Sequence, residues 1–103
     1  MVIDAFDNSA SRQLIQDECR RAKIPLLHVG LFGMYGEIVH DEIYRVPKDS
    51  EEDICDYPLA RNIILLTVTA ATEEILDLCL SPKPRKTSWS VTLKDLTIKP
   101  LML

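Results

Sequence analysis

Apolar and polar positions alternate along this chain in runs whose spacing separates strands from helices. Val2 to Phe6 is a short apolar run closed by Asp7-Asn8, the pattern of a strand buried on both faces. Asn8 or Ser9 can cap a helix by accepting hydrogen bonds from its free N–H groups. From there Ala10, Leu14, Ile15, Cys19 and Ala22 recur at helical spacing and make one apolar face. Arg12, Gln13, Gln16, Asp17, Arg20 and Arg21 fall on the wet face. Ile24-Pro25 ends the helix, because proline disfavours a helical conformation in the residue before it.

Pro25 to Phe32 reads as a second, mostly apolar strand, so strand, helix and strand form a βαβ unit with two parallel neighbours. Gly33 and Gly36 allow a tight reversal into a third strand, Glu37 to Tyr44. Ile38, His40 and Glu42 point to one side of it, and Val39, Asp41 and Ile43 to the other. Residues 45 to 58, RVPKDSEEDICDYP, make an acidic solvated loop. Leu59 to Leu80 then predicts a long helix with Pro58 suited to its first turn. Its middle, IILLTVTAA, is apolar nearly all round, which predicts burial on more than one side. SPKPRKTS is a loop, and WSVTL-KD-LTIKPL reads as a closing hairpin. The predicted order is β-α-β-β-α-β-β, a single α/β domain over residues 1–103 with a mixed sheet and no internal repeat.

A net charge of −4 and scattered basic residues argue against a nucleic-acid partner. The longest apolar run, Ile63 to Val68, falls far short of the roughly 20 residues a membrane span needs. Met1 is followed by Val-Ile-Asp rather than by a basic segment and an apolar run, so no signal peptide is expected. Cys19, Cys55 and Cys79 are odd in number, widely spaced and free of any CxxC, as in a reducing compartment. The expectation is a cytoplasmic protein that does not engage membranes.

In open α/β sheets ligands gather outside the carboxyl ends of the strands, which draws attention to Asp7. Two readings of Asp7 stay open. A carboxylate beside a helix N-terminus is itself stabilised by about 0.3–1 kcal/mol; alternatively Asp7 is an oxygen ligand for Mg²⁺ on a nucleotide. Arg12, one turn into the helix, would pair with Asp7 or with a phosphate. His28 and His40 on adjacent strands, with Asp41 and Glu42, suggest a metal cluster, but without ligand spacing they read better as satisfied sheet histidines. Cys19 and Cys79 lie on apolar helix faces and read as core, while Asp53 and Asp56 disfavour a thiolate at Cys55. Trp89 reads as a core or interface anchor.

The pattern D-x-x-D-N-x-x-x-R, present as Asp4, Asp7, Asn8 and Arg12, resembles the signature of the ThiF/MoeB/HesA family. These are the ubiquitin-activating-enzyme-like adenylyltransferases. The resemblance continues through the helix around Cys19 and through IPLLHVGLFGMYGEI, and it covers essentially the whole chain. It implies the second half of a Rossmann-like, ThiF-type three-layer fold, with a long buried second helix and a C-terminal hairpin. It also implies Mg²⁺–ATP as cofactor, Asp7, Asn8 and Arg12 as cofactor-binding residues, and Asp7 as the catalytic position. The family's glycine-rich nucleotide loop has no counterpart in these residues, and Cys55 alone stands where many members carry the first of two CxxC pairs. No structural zinc is therefore expected, since such a site wants four ligands. Two functions follow: a fragment of an adenylyltransferase that is inactive alone, or a complete half-fold kept as a binding or assembly module for another ThiF-like or carrier protein. In either case a homodimer or higher oligomer is expected, burying the first strand or the Leu59 helix between subunits.

Overall fold

The computed structural model describes residues 1–48 and 60–101. The chain folds as β1 (Val2–Asp4), α1 (Ser9–Ala22), β2 (Leu26–Phe32), β3 (Tyr35–His40), α2 (Ala60–Leu80), β4 (Trp89–Thr92) and β5 (Thr97–Pro100). It is an α/β domain with one five-stranded mixed sheet in the order β1-β2-β3-β4-β5. β1 and β2 run parallel, and every other pair is antiparallel. The expected strand-helix-strand unit with parallel neighbours is thus present. Among the described residues, no helix is long and apolar enough to cross a membrane.

Local chemistry explains the element ends. Asn8 caps α1: its side-chain oxygen accepts from the Ser11 N–H at 2.8 Å. At the other end Lys23 turns left-handed (φ 57°), and the Ile24 N–H reaches back to the Cys19 carbonyl at 2.8 Å. The closing hairpin turns over Leu93–Leu96, with the Leu96 N–H bonded to the Leu93 carbonyl and Leu96 itself at positive φ.

Strand alternation divides the sheet into two faces. Leu27, Ile38 and Val91 point to one face, where α2 covers them with Ile63 and Ala71 to form the apolar core. Asp4 and His28 are in register on the other face, beneath α1. At Gly36 the covering helix comes closest: a Cβ there would lie 2.1 Å from the Thr67 hydroxyl oxygen and 3.1 Å from that residue's Cβ and Cγ2. Only glycine admits α2 at this distance from β3.

Several expectations are corrected. β1 is an edge strand rather than one buried on both faces: Asp4 is fully buried, but Ile3 and Phe6 are exposed. The third strand ends at His40, and a single 3-10 turn over Asp41–Ile43 replaces its predicted continuation. α2 is buried on one side only, because Leu65, Val68 and Leu80 are exposed while Ile63, Thr67, Ala71 and Glu74 are buried, with Leu66, Ala70 and Ile75 packed against the core. Cys79 is exposed, not core. The largest correction concerns α1. Its buried residues are Arg12, Gln16 and Cys19, whereas Leu14 is 66% exposed. The calls on Cys55, Pro58 and Leu59 lie outside the described residues.

Candidate functional site

The inward face of α1 is polar because the sheet beneath it is polar. Asp4 accepts from Arg12 Nη1 at 2.9 Å and faces His28 Nδ1 at 2.5 Å, both on Oδ2; its Oδ1 accepts from the Phe6 N–H. The other ring nitrogen of His28, Nε2, faces Asp41 Oδ1 at 2.8 Å. Asp41 also accepts from Gln16 Nε2 and from Arg20 Nε, each at 2.8 Å. The His28 ring stacks on Tyr44 with centroids 3.6 Å apart. Arg12 completes its fork by donating from Nη2 to the Val29 carbonyl at 2.9 Å.

Each His28 nitrogen needs a proton between it and its carboxylate, so the Asp4–His28–Asp41 line holds two protons. Asp4 and His28 are almost wholly buried, and burying such charges is tolerated only when they are paired and hydrogen-bonded. Partial burial alone would push the Asp41 carboxyl up, but hydrogen bonds from Arg20, His28 and Gln16 outweigh it and hold it below its ordinary value. Beside Arg12, over Gly30, burial pushes the Glu37 carboxyl up against the opposing pull of Arg12 and His28. The cluster is closed and internally satisfied. It ties α1, β1, β2 and the 3-10 turn together.

A second buried pair lies on the α2 face. Glu74 accepts from the Thr87 and Trp89 N–H groups, so it acts as the acceptor for His40 Nε2 at 2.6 Å as well. This carboxylate fastens the segment before β4 onto α2 and β3. A cavity of about 290 Å³ opens nearby, lined by His40, Leu26, Leu78, Cys79 and Lys86. His28 and His40 do not converge. His40 pairs with Leu27 and His28 with Val39, so alternation sends the two rings to opposite faces of the sheet. Among the described residues, no group of three His, Cys, Asp or Glu side chains is placed to hold a metal ion.

The three residues singled out by the sequence are separated by burial. Asp7 is exposed beyond the end of β1, and its carboxylate accepts from Asn8 Nδ2 at 3.2 Å. Asn8 is engaged in capping α1. Arg12 is buried against Asp4 and not paired with Asp7. Of the three, Asp7 alone presents an exposed carboxylate to an incoming cation.

Sequence reasoning missed Gln16, Asp41, Tyr44 and Glu74 as members of buried networks. One signal was present: the parallel pairing of β1 with β2 puts Asp4 beside His28. No protein-family model matches the chain, and a search of curated proteins returns no match.

Proposed function

We propose that this chain is a ThiF-like half-fold, Rossmann-like in its layering, that serves as a binding and assembly module and does not catalyse adenylation alone. The observation that carries this reading is the outward face of α2, where Leu65 is 67%, Val68 53% and Leu76 44% exposed. Contiguous apolar surface of this kind marks an interaction site. Among the described residues β1 is the edge of the sheet, with Ile3 and Phe6 exposed, and such an edge is a template for strand pairing. The partner classes that fit are a second copy, another ThiF-like protein or a carrier protein. The compartment that suits three widely spaced thiols is the cytoplasm. Light scattering at micromolar concentration tests the reading: an oligomer is expected, and a strictly monomeric 11.7 kDa species would contradict it.

A second reading, an adenylyltransferase fragment awaiting a nucleotide-binding half, is favoured by Asp7 alone. Mg²⁺ at nucleotide sites takes one or two carboxylates together with phosphate oxygens, and an exposed Asp7 supplies one. Arg12 has no free face for a phosphate while Asp4 and Val29 hold it. The cradle for ATP would have to come from elsewhere. ATP-dependent pyrophosphate exchange by the purified chain, lost in Asp7→Ala, would replace the first reading with this one.

A further inference from the structure

Resting on the assembly reading above, the outer face of α2 also defines what covers it. Leu65, Val68, Thr72, Leu76 and Cys79 follow one another at spacings of 3, 4, 4 and 3, an exposed seam along one side of the helix. Thr69 and Ile75 flank that seam, and Ile75 packs against the apolar core. The seam faces away from Ile63, Thr67 and Ala71, which pack toward the sheet, so among the described residues this stripe is exposed.

The seam is prepared for an apolar neighbour. The Thr69 hydroxyl donates to the Leu65 carbonyl at 2.7 Å, and the Thr72 hydroxyl donates to the Val68 carbonyl at 2.8 Å. Both hydroxyl donors are therefore satisfied within the helix and ask nothing of a partner. No charged residue lies on the seam, so two copies can meet without opposing like charges.

We infer that the occupant is a second copy of this chain, its α2 packed antiparallel across a two-fold axis at Thr72. Around that residue the seam is nearly palindromic. An antiparallel pair sets Leu65 against Cys79 and Val68 against Leu76, a large side chain facing a smaller one each time. A parallel pair stacks Leu65 on Leu65 and leaves a gap where Cys79 meets Cys79, against the close packing interfaces require. Antiparallel helices also bring opposite ends of their dipoles together. The two-fold makes the contact isologous and closed, so assembly stops at the dimer. From Leu65 to Cys79 the stripe runs about 21 Å, several turns of helix.

Disulfide trapping tests the arrangement. In a Cys55→Ser, Cys79→Ser background, Thr72→Cys sits on the axis and is exposed, so the fold should tolerate it. Under mild oxidation it should form a disulfide dimer roughly tenfold or more faster than Leu14→Cys in the same background, because the interface holds the two thiols at high effective concentration. With Cys79 native and Thr72 unchanged, the antiparallel arrangement gives no comparable cross-link. A dimer in light scattering that fails to trap through Thr72→Cys, or that traps equally well through Cys79, overturns this inference while leaving the assembly reading in place. A chain that stays monomeric overturns both.

Discussion

The two faces of the sheet are built on opposite principles. Under α2, Leu27, Ile38, Ile63, Ala71 and Val91 exclude water with side chains that need no partners. Under α1, Asp4, Arg12, Gln16, His28 and Asp41 exclude it by pairing with one another. An apolar face is stabilised by area and packing and tolerates exchange among similar volumes. A charged face depends on completeness, since each missing partner leaves a buried charge unsatisfied. The outward sides of the helices differ as well. α1 shows water a mixed surface in which Leu14 is an isolated leucine, whereas α2 shows a second apolar stripe.

Removing one carboxylate from the charged face should have the largest effect. Asp4→Ala leaves Arg12 and His28 buried without their shared acceptor, and a loss of about 3–5 kcal/mol is expected in urea unfolding. A loss under about 1 kcal/mol would show that the charged face does not depend on its pairing. On the apolar face, Gly36→Ala forces a Cβ into Thr67 and should cost about 1–3 kcal/mol. Thr67→Ala should recover part of that loss when combined with it, because it removes the hydroxyl and methyl that the new Cβ meets. The Thr67 hydroxyl is also buried without a partner, so its removal deletes an unsatisfied group. Strict additivity of the two substitutions would contradict the close approach.

Smaller effects should appear with pH. The Asp41 carboxyl lies below its ordinary value in the folded state, so the stability it contributes is present above the unfolded value and lost as pH falls through the folded one. Glu37 has the opposite sign. Its carboxyl is raised by burial, so folding is favoured at low pH and loses stability as pH rises from the unfolded value through the folded one. Glu37→Gln should therefore flatten that decline, read as a smaller difference between unfolding midpoints on the two sides of the transition. A variant with the same pH profile as the wild type would assign the decline to another group.

Much of the fold was legible because it is written in local patterns. The Asn8 cap, the strand beginning after Pro25 and the long apolar helix ending at Leu80 each follow from residues adjacent in sequence. The facing of α1 was not legible for the opposite reason. Helical periodicity assigns Leu14 inward and Arg12 outward, and only Asp4, His28 and Asp41, far away in sequence, reverse that choice. The motif joined the right residues to the wrong partners: Asp4, quoted only as its first position, takes Arg12, and Asp7 is left at the surface. The one-sided burial of α2 was hidden too, since an apolar sequence does not say how many neighbours a helix has.

The most direct test compares two leucines of nearly equal exposure, Leu65 on α2 at 67% and Leu14 on α1 at 66%. Light scattering at micromolar concentration should give the wild type twice the 11.7 kDa chain mass. Leu65→Glu should reduce it to the chain mass, because it would bury an unpaired charge in the apolar seam, while Leu14→Glu should leave the dimer intact. A wild-type mass of one chain, or a dimer indifferent to Leu65→Glu, would contradict the assignment of α2 as the assembly surface.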